Sequence, residues 1–488
     1  MAARVAAARA ARRHLAASAI GFGTAVAIAK AFMVPQEGAE LDVVEGDQKR
    51  ELKLVQVVFR HGARTPLGQK YWPELGPKWD VCGTAHELVP IVVTTEDGQP
   101  RPPNPDDVKQ IEQRYEGGCS RGELTLVGQQ QALDFGRWLR WRYALVHGLL
   151  PETHSEGVVT SRTTNYSRTV ATLQGVLSGL FPGTTVPIPV HTASEIDEIL
   201  YTNVRSCRKL HQLMQTLNRE QREALERGAD PHIEAVQQRV RAALGLPDDH
   251  RVSFVDLHDA MTSMQTHGKP IPEGMRDKQL LADIDRLATA RFMHVIAPHP
   301  DTGKTQEMLR LGMGVLLEVM VRRMEAAAAR GGGGSGEVGD AAAASKMFLY
   351  SGHDSSLMPL LAALGKHVVD WPPYLSNLAL ELWQQPNGQH FVKVLYNKEE
   401  LPLTELCGSA TCELQTFKEK VIGPYLLTKE QHQQECLLHF LHDQPAGQHT
   451  ETEEVQAGSS FQEAAPEGRS SQRSSGEAAQ AKVAKYRA

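Results

Sequence analysis

The apolar run Leu52-Lys53-Leu54-Val55-Gln56-Val57-Val58-Phe59 leads directly into Arg60-His61-Gly62-Ala63-Arg64-Thr65-Pro66, and this junction constrains the chain more than any other stretch. A short apolar run bounded by a turn reads as a strand buried on both faces, the habit of parallel sheets covered by helices. In open sheets of that kind, ligands bind beyond the strand ends. Here the strand delivers an imidazole between two guanidinium groups. Two cations beside an imidazole repel unless an anion sits among them, and a nucleophile flanked by anion clamps suggests phosphate chemistry.

Two further segments follow the same plan. Gly157-Val158-Val159-Thr160-Ser161 is a β-prone run ending at Arg162, with Thr163-Thr164-Asn165 next and Arg168 on a helix expected over Ser167–Leu180. Met347-Phe348-Leu349-Tyr350-Ser351 is another apolar run, feeding Gly352-His353-Asp354. A shared sheet would bring Arg60, His61, Arg64, Arg162, His353 and Asp354 to one edge. Taken singly, each segment has a plainer reading: a surface turn, an arginine capping a helix, a hydrogen-bonded pair in a loop. Their common placement after strands favours a joint site.

The heptapeptide Arg60–Pro66 resembles the Arg-His-Gly-x-Arg-x-Pro signature of the histidine acid phosphatases, branch 2 of the histidine phosphatase superfamily. Arg162-Thr163-Thr164-Asn165 resembles the family's Arg-Ser-Thr-(Asp/Asn) element, with Thr163 keeping the hydroxyl, and His353-Asp354 resembles its His-Asp pair. Gly122-Glu123-Leu124-Thr125, with Gly128 and Gln131, is similar to a Gly-Gln-Leu-Thr element in which Glu123 departs from glutamine and puts a local hydrogen bond in question. The resemblance implies that His61 is a nucleophile forming a phosphohistidine. Asp354 is then the general acid and afterwards the group that activates water, while Arg60, Arg64, Arg162 and His353 bind phosphate. The residue types suit those roles. Guanidinium forks match phosphate oxygens, and a neutral imidazole attacks through one nitrogen while the other is held as a donor. Arginines pull the Asp354 pKa down and bound phosphate pushes it up, so activity is expected to be greatest in acid.

The resemblance also implies an α/β fold: a mostly parallel sheet flanked by helices on both faces, with a smaller inserted helical cap. The expected divisions are a phosphatase domain in two pieces, 50–200 and 305–425, around a cap at 201–304. Within the family, Val55–Arg64, Leu200-Tyr201 with Ser206-Cys207, Trp371-Pro372-Pro373 and the Cys407/Cys412 spacing resemble a mitochondrial member that acts on lysophosphatidic acid. The implied substrate is therefore a small phosphate monoester, a lysophospholipid, cleaved to monoacylglycerol and phosphate. A broad-specificity or phytase-like acid phosphatase is the enzymatic alternative. An inert phospholipid-binding or scaffold protein is the other, and the presence of both His61 and Asp354 argues against it, since binding alone needs only the arginines.

Other chemistries find little support. There is no Cys-x-x-Cys pair, His-Glu-x-x-His helix or EF-hand loop, so neither a metal nor a cofactor is expected. Gly303-Lys304-Thr305 has the tail of a P-loop, but Pro298 stands where its first glycine is required. With a formal charge of −6 and no basic stripe beyond the N-terminus, nucleic acid is not an expected partner. A monomer is expected.

Helical periodicity runs through Thr125–Tyr143 by way of Val127, Ala132, Phe135, Trp138 and Leu139, with Thr125 as N-cap, and recurs at Arg219–Gly228, His232–Leu244 and Thr305–Arg330. The alanine- and glycine-rich stretch 326–345 reads as a surface loop, and 443–488, poor in large apolar residues, as a disordered tail. Segment 1–36 carries Arg4, Arg9, Arg12, Arg13 and Lys30 among alanines, with no acid before Glu37, and resembles a mitochondrial targeting segment. Leu15–Ala29 is also apolar enough for a signal-peptide core, which leaves a secretory route as the alternative. No transmembrane domain is expected in the mature protein. The six cysteines permit disulfides or buried thiols, with Cys407 and Cys412 close enough for a short staple. The sequon Asn165-Tyr166-Ser167 lies beside the expected site, where a glycan would crowd it.

Overall fold

A computed structural model describes residues 50–68, 77–84, 86–226, 230–299, 303–330 and 345–442. The expected targeting segment and tail, and most of the glycine-rich loop, lie outside these residues. Nine strands form one sheet in the order β2-β4-β3-β5-β1-β6-β7-β8, with β9 beside β7. They are β1 (Glu51–Arg60), β2 (Ile91–Thr95), β3 (Val159–Thr163), β4 (Ile188–Thr192), β5 (Met347–Gly352), β6 (Asn377–Gln384), β7 (His390–Tyr396), β8 (Glu399–Glu400) and β9 (Cys412–Glu413). The first five strands pair in parallel, while β6 runs antiparallel to β1 and begins an antiparallel edge.

Strand β1 is apolar almost throughout because it is covered on both sides. Leu54 and Val58 face one apolar cluster, and Val55, Val57 and Phe59 face the other, as the two-residue period of a strand requires. The polar Gln56 is fully buried yet satisfied: it donates to Met320 O at 2.7 Å and accepts from the Tyr350 hydroxyl at 3.0 Å. On the second face lie α2 (Leu126–Leu139) and α3 (Ser167–Leu180), which contribute Ala132, Phe135, Leu139, Leu173, Val176 and Leu177. Thr125 caps α2 as expected, accepting from Gly128 N at 3.3 Å. Val127 departs from expectation and is exposed, because the buried stripe passes through Gly128, Ala132, Phe135 and Leu139, one step around the helix. The short helix α1 (Pro105–Glu112) holds the start of α3, since Asp107 accepts from Ser167 N at 3.0 Å and from Ser167 Oγ at 2.6 Å.

Between β4 and the next core helix the chain forms α4 (Arg208–Glu226), α5 (Pro231–Leu244), α6 (Phe254–Thr266) and α7 (Lys278–Ile296). They share one apolar cluster with α8 (Thr305–Ala329), α9 (Asp354–Ala363) and the Leu54/Val58 face of β1. The inserted helices are thus packed into the core of the sheet layer. The chain ends its described part in α10 (Lys429–His442). All six cysteines are paired: Cys82–Cys119, Cys207–Cys436 and Cys407–Cys412. The second bond joins the start of α4 to α10 across 229 residues. Asn165 of the sequon is buried, accepting from Arg101 Nε at 2.6 Å and donating to Pro102 O at 2.7 Å, so a glycan on it is incompatible with this fold. Among the described residues, no helix is long and apolar enough to cross a membrane.

Candidate active site

Three parallel strands end side by side. Arg60 of β1 is in register with Gly352 of β5, and Thr163 of β3 with Ser351. Backbone pairing continues one residue further: His61 N–H donates to Gly352 O at 2.9 Å and Thr164 N–H to Ser351 O at 3.0 Å. This brings His61, Thr164 and His353 together, with the imidazole centres 5.6 Å apart and His353 Nε2 2.9 Å from Thr164 Oγ1. The loop after His61 is pinned to α2 and α3, for Gly62 N–H donates to Thr172 Oγ1 at 3.1 Å and Ala63 N–H to Gln131 Oε1 at 2.9 Å. Glycine is required on both sides of that contact. A Cβ on Gly62 would lie 2.5 Å from Gly128 O, and one on Gly128 would collide with Ala63 O. Glu123, where glutamine is usual, accepts from Ser120 N at 2.5 Å, so this chain does form a local hydrogen bond there.

The protonation state of His61 follows from its surroundings. Its Nδ1 lies 2.9 Å from Gly62 O, and a carbonyl can only accept, so Nδ1 carries the proton and Nε2 keeps its lone pair. Burial, and then the positive fields of Arg64, Arg168 and Arg60, hold its pKa well below the ordinary value of 6.5. His61 is thus a neutral imidazole even in mild acid. His353 is likewise held low, by burial first and then by Arg168.

Three buried arginines surround these rings, each anchored to protein acceptors. Arg60 donates through Nη1 to Pro372 O at 2.5 Å, pairs through Nη2 with Asp354 at 2.9 Å, and lies 4.5 Å over the Tyr374 ring. Arg64 donates through Nη1 to Thr65 O at 3.0 Å and through Nη2 to Asp259 at 2.6 Å. Arg168 donates through Nη1 to Gln110 at 2.8 Å and lies 4.5 Å over the Tyr166 ring. In all three the Nε–H is buried without a partner. Three buried guanidinium groups around two neutral imidazoles concentrate positive charge, which an anion would relieve. Arg168, which pairs with no carboxylate, carries the clearest electrostatic sign of this: burial and the Arg64 charge push its pKa down to about 10.

Asp354 is the first residue of α9 and follows His353 directly. Its Oδ2 accepts from Trp371 Nε1 at 2.9 Å and from Arg60 at 2.9 Å. Burial acts to raise its pKa, but Arg60, the Trp371 N–H and the neighbouring cations outweigh it and hold the group at about 2. Asp354 is therefore ionised, and negative charge brought against it would favour its protonation. Its side chain is 18% exposed, whereas Arg60 and Arg64 are under 5%, so the carboxylate sits on the open side of the cluster.

Arg162, expected among the clamps, lies elsewhere. It is in register with Tyr350, two residues before Gly352, which sets it roughly 7 Å short of the edge where His61 stands. Its Nη groups pair with Glu96 at 2.8 Å and Glu198 at 3.3 Å, and it lines a separate cavity of about 630 Å³ with Thr95, Thr192, Arg323 and Tyr350. Its Nε is also bare, yet two carboxylates already neutralise it. The third guanidinium beside His61 is Arg168, the second residue of α3. The available signal was its place at the start of the helix that follows the strand-end turn, from which a side chain reaches back over the edge. The cluster thus brings together Arg60, His61, Arg64, His353 and Asp354, omits Arg162, and adds Arg168, Asp259 and Trp371.

Comparison with known proteins shows the family. The sequence matches the profile of the histidine phosphatase superfamily (branch 2) over residues 51–397. It is 32% identical over 397 residues to lysophosphatidic acid phosphatase type 6 of Pongo abelii, covering 79% of this chain and 86% of that protein. The human protein of the same name is 31% identical, again over 79% and 86% of the two chains. Among solved structures, the apo form of Hafnia alvei phytase superposes with a TM-score of 0.54 at 16% identity, covering 78% of this chain and 97% of that one.

Proposed function

The chain belongs to branch 2 of the histidine phosphatase superfamily and is an acid phosphatase of that family, and from this membership we propose that it hydrolyses lysophosphatidic acid through a phosphohistidine on His61. The observation that carries the mechanism is the set of three buried guanidinium groups, Arg60, Arg64 and Arg168, around a neutral His61, beside Asp354. The arginines, with His353, hold the phosphoryl oxygens and stabilise charge as the group transfers. The lone pair of His61 Nε2 forms a bond to phosphorus as the phosphorus–oxygen ester bond breaks, and protonated Asp354 gives its proton to the departing alkoxide. In the second step the Asp354 carboxylate takes a proton from water, which attacks phosphorus and breaks the phosphorus–nitrogen bond. Phosphate leaves with that proton, and neutral His61 and the ionised Asp354 carboxylate are restored.

The acid preference follows from the same groups. A phosphate monoester carries a proton below its second ionisation, near pH 6, and such a monoanion brings Asp354 the proton that the empty site denies it. His61 stays neutral across that range because its own pKa is depressed.

Support for a substrate with one phosphate comes from the side chains that the inserted helix α6 brings to the site. They are Asp259, Ser263 and His267, an acid, a hydroxyl and an imidazole. Helix α6 itself carries no lysine or arginine, whereas the further phosphates of inositol hexakisphosphate would call for cations there. The phytase likeness, at 16% identity, speaks for the fold alone. Comparing kcat/KM for lysophosphatidic acid and inositol hexakisphosphate tests the choice: a preference for the lysophospholipid of at least about tenfold is expected, and a preference for the inositol overturns it.

For location, the three disulfides favour an oxidising compartment. A mitochondrial address suits them only outside the matrix, and the secretory pathway suits them directly.

A further inference from the structure

Helix α6 meets the site through one polar stripe. Asp259, Ser263 and His267 are spaced by four and so stack along one face, and each touches a different piece of the site. Asp259 Oδ1 accepts from Arg64 Nη2 at 2.6 Å and its Oδ2 from Leu67 N–H at 2.7 Å. Ser263 Oγ lies 3.1 Å from the hydroxyl of Tyr374, whose ring stacks on Arg60. His267 Nε2 lies 2.7 Å from Oγ1 of Thr125, the N-cap of α2. Leu257, Met261 and Met264 of the same helix are buried in the apolar cluster, so the stripe is held in place by packing behind it.

Only Asp259 reaches a phosphate clamp. A guanidinium has five donors, and which edge it offers a ligand depends on which are already engaged. Arg64 has Nη2 on Asp259 and Nη1 on Thr65 O, which leaves the Nε edge bare. The second Asp259 oxygen, bound to Leu67 N–H, fixes the carboxylate to the same loop that carries Arg64, so the carboxylate has little freedom to turn.

We propose that Asp259 is a positioning residue for the phosphate clamp: it holds Arg64 with the Nε edge toward the anion, so that the clamp is complete only when the inserted helix is seated on the catalytic loop. The role rests on reading the arginine cluster as a phosphate site, and it is a prediction about binding as much as turnover.

The test is calorimetric titration of inorganic phosphate into the full chain as wild type, Asp259→Ala, Arg64→Ala and the double variant, with Asp259→Asn as a conservative companion and melting curves for each. Arg64→Ala is expected to weaken phosphate binding at least about tenfold and Asp259→Ala about fivefold, while the double variant binds within about twofold of Arg64→Ala alone. Asp259→Asn, which retains one acceptor, is expected to fall between wild type and Asp259→Ala at an unchanged melting temperature, and it carries the cycle if the alanine variant does not fold. An Asp259 penalty that persists in full without Arg64 overturns the proposal, since the carboxylate then acts elsewhere. Tighter phosphate binding by Asp259→Ala also overturns it, since the carboxylate would then merely compete for the clamp. Turnover of the same wild-type protein separates this from the proposed function: phosphate binding with the predicted coupling but no His61-dependent hydrolysis contradicts the function and leaves the Asp259 assignment intact.

Discussion

Arg60 and Arg64 have both Nη groups committed to protein acceptors and Arg168 has Nη1 on Gln110, so all three guanidinium groups are held in place beside His61. Arg162 is tied instead between Glu96 and the buried Glu198. The two arginines, six positions apart, should therefore fail differently. Arg168→Ala is expected to lower kcat/KM by about a hundredfold or more and to weaken inhibition by inorganic phosphate, with stability nearly unchanged. Arg162→Ala leaves Glu198 buried and unpaired, so it should cost about 3 kcal/mol of stability while phosphate inhibition stays within about twofold. Steady-state kinetics and thermal melts of the two variants decide it, and phosphate inhibition lost in Arg162→Ala would reverse the assignment. His61, Arg64 and Asp354 were legible in the sequence because each stands at or just after the end of an apolar run. Arg162 also followed such a run, but whether an arginine lies at the strand end or two residues before it depends on register with β5, which no local pattern carries. Asp259 was out of reach because its partner Arg64 lies 195 residues away.

The loop after His61 keeps its place because it lies backbone to backbone on the start of α2. A Cβ on Gly128 would meet both the oxygen and the nitrogen of Ala63, the latter at 2.8 Å. Gly128→Ala should thus push the loop off the helix and move His61 and Arg64 relative to Asp354. A displacement on the order of 1 Å costs about a hundredfold in rate, so kcat is expected to fall by that factor while circular dichroism still reports the folded sheet and helices. Wild-type kcat in Gly128→Ala would show that the contact is dispensable. The helices α2, α3 and α8 were readable from their periodicity, and α3 begins and ends where expected, at Ser167 and Leu180. The antiparallel edge formed by β6 to β9 had no such signal, for its strands are short or buried and are placed by pairing with β1 and β7. The packing of α4 to α7 into the same apolar cluster as α8 likewise depends on contacts distant in sequence.

The whole molecule carries the cost of an electropositive centre. His61 and His353 have folded-state pKa values below 6.5, so below about pH 6.5 the unfolded chain binds protons that the folded chain does not. Stability therefore falls as pH drops through that range, by about 1.4 kcal/mol per pH unit for each histidine until its folded pKa is reached. Asp354, depressed to about 2, has the opposite sign, but its contribution is full above about pH 4 and is silent in this window. Melting curves at pH 7 and pH 5.5 should show the loss, and inorganic phosphate should restore part of it by binding the native arginine cluster. An unchanged melting temperature between the two pH values, with or without phosphate, would contradict the assigned burial of these rings as neutral groups. The account as a whole turns on a covalent bond between phosphorus and His61. The most direct test is a rapid alkaline quench of the enzyme turning over phosphorus-labelled lysophosphatidic acid, followed by peptide mapping of the acid-labile label. The predicted result is label on the peptide containing Arg60-His61-Gly62, absent in His61→Ala; label on another residue, or His61→Ala that retains both label and turnover, would contradict it.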